Sequence, residues 1–267
     1  MVFSLVLSLF ILLATVLFFR HPQRCPLVSS PIPNHTFLPT TIETKELPQY
    51  PWNHGTHKKV SPITKEYFRC KGSSLNPPIP ILRDGKVVEN IFDCNGPSSH
   101  SLPIRHGQEF IYPILIELLN EIQATTGKPV TITSGHCCPA HNKYIDPSPK
   151  NQASKHQTGA EVSFYVPGLE GKPEVILSCI EAFYKSQPRY AADKAYAQFE
   201  RYDKETDVST KPWFNKEILF KLYLPHEGRN GDNKHGFAYF SLQVRFDRDT
   251  NMRVGYSWDE ALQYHRK

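Results

Sequence analysis

No C-x-x-C pair occurs among the 267 residues, so a structural zinc knuckle built from paired cysteines is not expected. Internal repeats are missing, which excludes a solenoid or a propeller. There is no basic helix and no alternation of basic and aromatic residues. The net charge of +5 with twelve histidines is the balance of a solvated surface, and nucleic acid is not an expected partner. A repeating β-α-β rhythm is also absent, which argues against a doubly wound parallel sheet. Charge is missing from the whole of the first nineteen residues, MVFSLVLSLFILLATVLFF.

That uncharged run is long enough to span a bilayer as a helix. No basic residue precedes it, and Phe18-Phe19-Arg20 lacks the small residues of a cleavage site. Residues 1–20 therefore read as a membrane anchor or uncleaved signal. Residues 21–60, rich in Pro, Thr and His, read as a linker, and 61–267 as one domain. Arg20 and Arg24 would place that domain in the cytoplasm by the positive-inside rule. The substrate considered below places it in the periplasm or outside the cell, with secretion as the alternative.

Periodicity supplies the elements. Ile111, Ile114, Leu115, Leu118, Leu119 and Ile122 recur at helical spacing, predicting a helix over 108–126 ended by Gly127 and Pro129. Asp84-Gly85 marks a hairpin within 81–88. Strands are expected at 130–133, 160–166 and 237–246, and helices at 173–185 and near 213–222. A short segment closes the chain at 258–265. The order suggests an α+β domain, a small antiparallel sheet with flanking helices.

Six cysteines occur, at 25, 70, 94, 137, 138 and 179. Cys70 and Cys94 bracket a Pro-rich loop, and outside the cytoplasm they are the pair expected to form a disulfide. Cys179 lies in an apolar stretch and reads as buried and inert. The vicinal Cys137-Cys138 reads as a pair of reduced thiols, because a vicinal disulfide is strained.

Two segments carry chemistry: Ser134-Gly135-His136-Cys137-Cys138-Pro139-Ala140-His141-Asn142, and Ser154-Lys155-His156-Gln157-Thr158-Gly159-Ala160-Glu161-Val162-Ser163. His156 sits on a loop entering a strand. Glu161 and Ser163, two apart on that strand, point to one face. A loop histidine and a strand carboxylate can present two zinc donors to one point. They serve equally well as a loop cap and a surface charge.

The stretch from Gly127-Lys128-Pro129 through Ser134-Gly135, Asn142, Ser154, His156 and Gly159 resembles the zinc D-Ala-D-Ala carboxypeptidase and murein endopeptidase family. The resemblance implies a D-Ala-D-Ala carboxypeptidase-like fold, a zinc cofactor and a peptidoglycan stem peptide as substrate. It assigns His156 as a metal ligand. The family's aspartate ligand falls on Ser163, its late histidine ligand on Ser241, and the arginine that anchors the substrate carboxylate on Cys137.

Two readings follow from those departures. In the first, zinc is held by shifted ligands, His156, Glu161 and His235. Glu227 is then the general base, and His136, Cys137 and Ser154 bind the peptide. In the second, the domain keeps the cleft without the chemistry and serves as a wall-binding or scaffold module. A redox enzyme using Cys137-Cys138 ranks behind both, because nothing nearby supplies a resolving partner.

Overall fold

The computed structural model describes residues 60–148, 153–228 and 231–257, all within one compact unit, Pro48–Lys267. The proposed anchor, nearly all of the linker and the closing 258–265 segment lie outside the described residues. Among the described residues no helix is long and apolar enough to cross a membrane.

After a 3₁₀ turn at Lys65–Phe68 comes a two-stranded ribbon, β1 (Ile79–Arg83) and β2 (Lys86–Ile91). Asp84 and Gly85 both take positive φ, 50° and 74°, as the Asp-Gly turn requires. A second small ribbon follows, β3 (Ile104–Arg105) and β4 (Gln108–Glu109). Helix α1 then spans Pro113–Thr126. It starts later than its apolar pattern because Pro113 stands at its first position, and a residue before proline is held out of the helical region. Gly127 closes it in the left-handed conformation, φ 65°.

After α1 come β5 (Thr131–Ser134), helix α2 (Pro139–Ile145), a 3₁₀ turn at Lys155–Thr158, β6 (Glu161–Tyr165) and helix α3 (Pro173–Ser186). The remaining strands are β7 (Glu200–Arg201), β8 (Trp213–Phe214), β9 (Ile218–Tyr223), β10 (Tyr239–Val244), β11 (Phe246–Asp247) and β12 (Met252–Arg253). Six strands form one antiparallel sheet in the order β5-β6-β10-β9-β8-β7. The α+β expectation with a small antiparallel sheet holds.

The helix expected near 213–222 is instead the β8–β9 hairpin. Asn215 turns the chain there: its side-chain oxygen accepts the backbone N–H groups of Glu217 and Ile218. Strand β9 is buried along its whole length, so its sequence shows no alternation of apolar and polar residues. The late strand is shorter than expected, because the backbone N–H of Arg245 leaves the sheet ladder for the carbonyl of Glu217. Helix α2 is too short and too polar to show apolar spacing in the sequence.

One face of the sheet packs Val162, Phe164, Phe220, Phe240 and Leu242 into the apolar core that α1 and α3 complete. Strand alternation sends Glu161, Ser163, Lys221, Ser241 and Gln243 to the other face. That polar face positions the candidate site.

Candidate functional site

Register fixes a row of polar residues across the sheet. Ser134 pairs with Ser163, Ser163 with Ser241, and Ser241 with Lys221, while Glu161 lies opposite Gln243 one step along. Two loops cover the row. Gly135 lets the first approach: a Cβ there would stand 2.6 Å from the Phe68 backbone, and the next amide, His136 N–H, donates to the Phe68 carbonyl at 2.6 Å. In the second, Ser154 caps the Lys155–Thr158 turn. Its hydroxyl accepts from the His156 N–H while Gln157 reaches back to the Ser154 N–H. Gly159 ends the turn at φ 71°, a conformation that favours glycine.

His156 is anchored from both sides. Its Nδ1 donates to the Gly135 carbonyl at 2.7 Å, and its Nε2 stands 3.7 Å from Glu161 Oε1. That same oxygen accepts from Ser241 Oγ and Gln243 Nε2, each at 2.8 Å. Burial pushes the Glu161 carboxyl up, but the facing His156, Lys221, Gln243 and Ser241 outweigh it, so the carboxyl sits below its usual range. Lys221 is itself held by Asp207 at 2.7 Å, and Tyr223 donates to the same aspartate. Lys155 donates to the Val244 carbonyl; burial lowers its ammonium to about 8. Ser163 and Ser241 are buried, as are His156 and Glu161.

The structure therefore joins His156 and Glu161 as the sequence suggests, and it separates the rest. His235 lies outside this pair. Its ring stacks on Phe237 at 4.8 Å and meets Tyr239 edge-on, and burial and the nearby Lys71 lower its pKa. Glu227 closes a turn by accepting the Leu224 and Ser209 backbone N–H groups at 2.8 and 3.2 Å. Ser154 is a cap. His136 Nδ1 meets the His156 carbonyl at 3.1 Å, so it buttresses the loop. Cys137 is fully enclosed, its Sγ 3.5 Å from Ser134 Oγ, and burial pushes its thiol up. The groove lined by Pro173, Glu174, Arg201, Trp213 and Leu222 lies elsewhere, and no candidate site residue lines it.

A catalytic zinc needs three protein ligands and an open position. His156 and Glu161 supply two donors, and serines stand where the resemblance expects the others. The Glu161 oxygen that faces His156 is already taken by two hydrogen bonds. These residues do not fit a catalytic zinc.

Elsewhere, two groups of ligand-type atoms do converge within 4.8 Å among the described residues: Cys70, Cys94, His100 and Cys138, and Cys137, His141 and Asp232. Neither contains His156, Glu161 or His235. The expected Cys70–Cys94 disulfide is overturned, since both are free thiols with sulfurs 3.9 Å apart. Cys137 and Cys138 are free as well, and so is Cys179.

His141 lies between two aspartates, with Nδ1 2.7 Å from Asp93 and Nε2 3.1 Å from Asp232. Burial lowers its pKa, but Asp232, Cys70 and Asp93 outweigh that and raise it to about 9. A raised folded pKa stabilises fully below the unfolded value, and the gain is lost as pH rises through the folded one. His141→Gln should cost about 3 kcal/mol near pH 6 and progressively less from pH 6.5 to 9. Urea unfolding of both proteins across that range checks it; a cost that grows with pH would contradict the pairing.

No family model, no curated protein and no solved structure matches this chain.

Proposed function

We propose that the chain is a non-catalytic, cell-wall-binding domain on a D-Ala-D-Ala carboxypeptidase-like scaffold, held at the membrane by residues 1–20 and exposed outside the cytoplasm. One observation carries the loss of catalysis. Ser163 and Ser241, the two positions where that scaffold would place metal ligands, are cross-strand partners, and Ser241 donates to a buried, fully engaged Glu161. Such a network rigidifies a sheet face and leaves no open coordination site for water. Peptidoglycan binding rests on the resemblance of the two segments around Ser134-Gly135 and His156.

The test is paired. The full chain, supplied with zinc, should co-sediment with peptidoglycan sacculi yet release no D-alanine from stem pentapeptides. D-alanine release that disappears in His156→Ala would restore the peptidase reading. Failure to co-sediment would remove the wall-binding role.

A further inference from the structure

Cys70, Cys94, His100 and Cys138 reach one point from three separate stretches of chain, and their donor atoms all lie within 4.8 Å of one another. We propose that these four residues form a structural zinc site of the Cys₃His type, which fastens the β1–β2 region to the N-terminus of α2.

The geometry matches tetrahedral thiolate zinc better than a disulfide. Zn–S bonds of about 2.3 Å set sulfur–sulfur edges of about 3.8 Å, whereas a disulfide needs about 2.05 Å. The Cys70 and Cys94 sulfurs stand 3.9 Å apart. Backbone N–H groups point at the sulfurs: His141 N–H at Cys138, 3.4 Å away, Gly96 N–H at Cys94 and Cys138 N–H at Cys70. His100 Nδ1 lies 3.2 Å from the Ser101 carbonyl. A proton on Nδ1 leaves Nε2 with the lone pair, the arrangement usual for metal-bound histidine.

Two glycines allow this approach. Cys70-Lys71-Gly72 and Cys94-Asn95-Gly96 each place a glycine two residues after a cysteine. A Cβ on Gly72 would overlap Cys94 Sγ and stand 2.8 Å from Asp93 Oδ1. Gly96 takes φ 95°, open to glycine and strained for other residues.

The surrounding lobe has reason to need a cross-link. The three cysteines form their own small buried cluster, apart from the main core. Strands β1 and β2 are mostly exposed, and Leu75, Leu82, Val87, Val88 and Phe92 face solvent. A two-stranded ribbon with so little burial is marginal alone, and a metal staple is one of the few devices that hold it. Binding involves no redox step: the cysteine thiols lose their protons to solvent as the metal enters.

The full chain, purified under reducing conditions, should carry about one zinc per molecule. Cobalt exchanged for zinc should give the visible bands and the near-ultraviolet sulfur-to-metal charge transfer of a tetrahedral thiolate site. Cys94→Ser and Cys138→Ser should each lose most of the metal, while His156→Ala keeps it. His100→Cys should retain metal and strengthen the charge-transfer band, which keeps the test decisive if a serine variant fails to fold. Absence of zinc and of cobalt–thiolate bands after reconstitution would overturn the proposal. So would a Cys70–Cys94 disulfide in the native chain, or zinc that persists in the Cys94→Ser, Cys138→Ser double variant.

Discussion

Glu161→Ala should destabilise the domain by about 3–5 kcal/mol, the cost of breaking a buried charge network by removing one partner. Three facing groups lose their acceptor or counter-charge at once: Ser241 and Gln243, each 2.8 Å from Glu161 Oε1, and His156 at 3.7 Å. Lys221 keeps Asp207 but loses the field of Glu161. Glu161→Gln retains an acceptor in place and should cost only about 1–2 kcal/mol. The wild-type contribution is also pH-dependent. Because the folded carboxyl sits below its usual range, its stabilisation is present above the unfolded value near 4.3 and is lost as pH falls through the folded pKa. Urea unfolding at pH 7 and in acid measures both effects. The zinc content of Glu161→Ala should equal that of the parent; a loss of zinc would make Glu161 a ligand.

Gly135→Ala is the second large effect, at about 3 kcal/mol or more. The new Cβ would stand 2.6–2.9 Å from three backbone atoms of Phe68, and backbone cannot rotate away as a side chain can. Phe68 is fully buried, and the His136 N–H to Phe68 O bond sits on the adjacent amide. The loop that presents the Gly135 carbonyl to His156 must shift, so the His156 anchor weakens with it. Gly171→Ala, where nothing lies within 4 Å of the added carbon, should be close to neutral. Thermal melts of the two alanine variants separate the outcomes; equal melting temperatures would contradict the close approach at Phe68.

Local signals carried much of this fold. The Asp84-Gly85 turn, the Gly127 cap and the apolar spacing of α1 are short-range features, and each appears where its residues put it. The Trp213–Leu222 stretch misled because β9 is buried along its whole length and apolar but for Lys221, and such a run reads equally as helix or buried strand. The pairing of His156 with Glu161 was legible from strand alternation. The placement of His235 was not, because a loop histidine's neighbours depend on packing, here Phe237 and Tyr239.

The Cys₃His cluster was hidden for a related reason. Its donors come from positions 70, 94, 100 and 138, on loops that only the tertiary fold brings together, and no pair shows the usual ligand spacing. The signal available in the sequence was the repeated Cys-x-Gly at 70–72 and 94–96. The same two cysteines bracket a Pro-rich loop, a placement that favours reading them as a disulfide.

The proposed zinc site lies in the cysteine cluster and not on the polar sheet face around His156 and Glu161. Crystals of the full chain grown with zinc, with anomalous data collected above and below the zinc absorption edge, test it directly. The prediction is one anomalous peak, bounded by Cys70, Cys94, His100 and Cys138, with Glu161 still bonded to Ser241 and Gln243. A peak bridging His156 and Glu161, with the cysteine cluster empty, would contradict it.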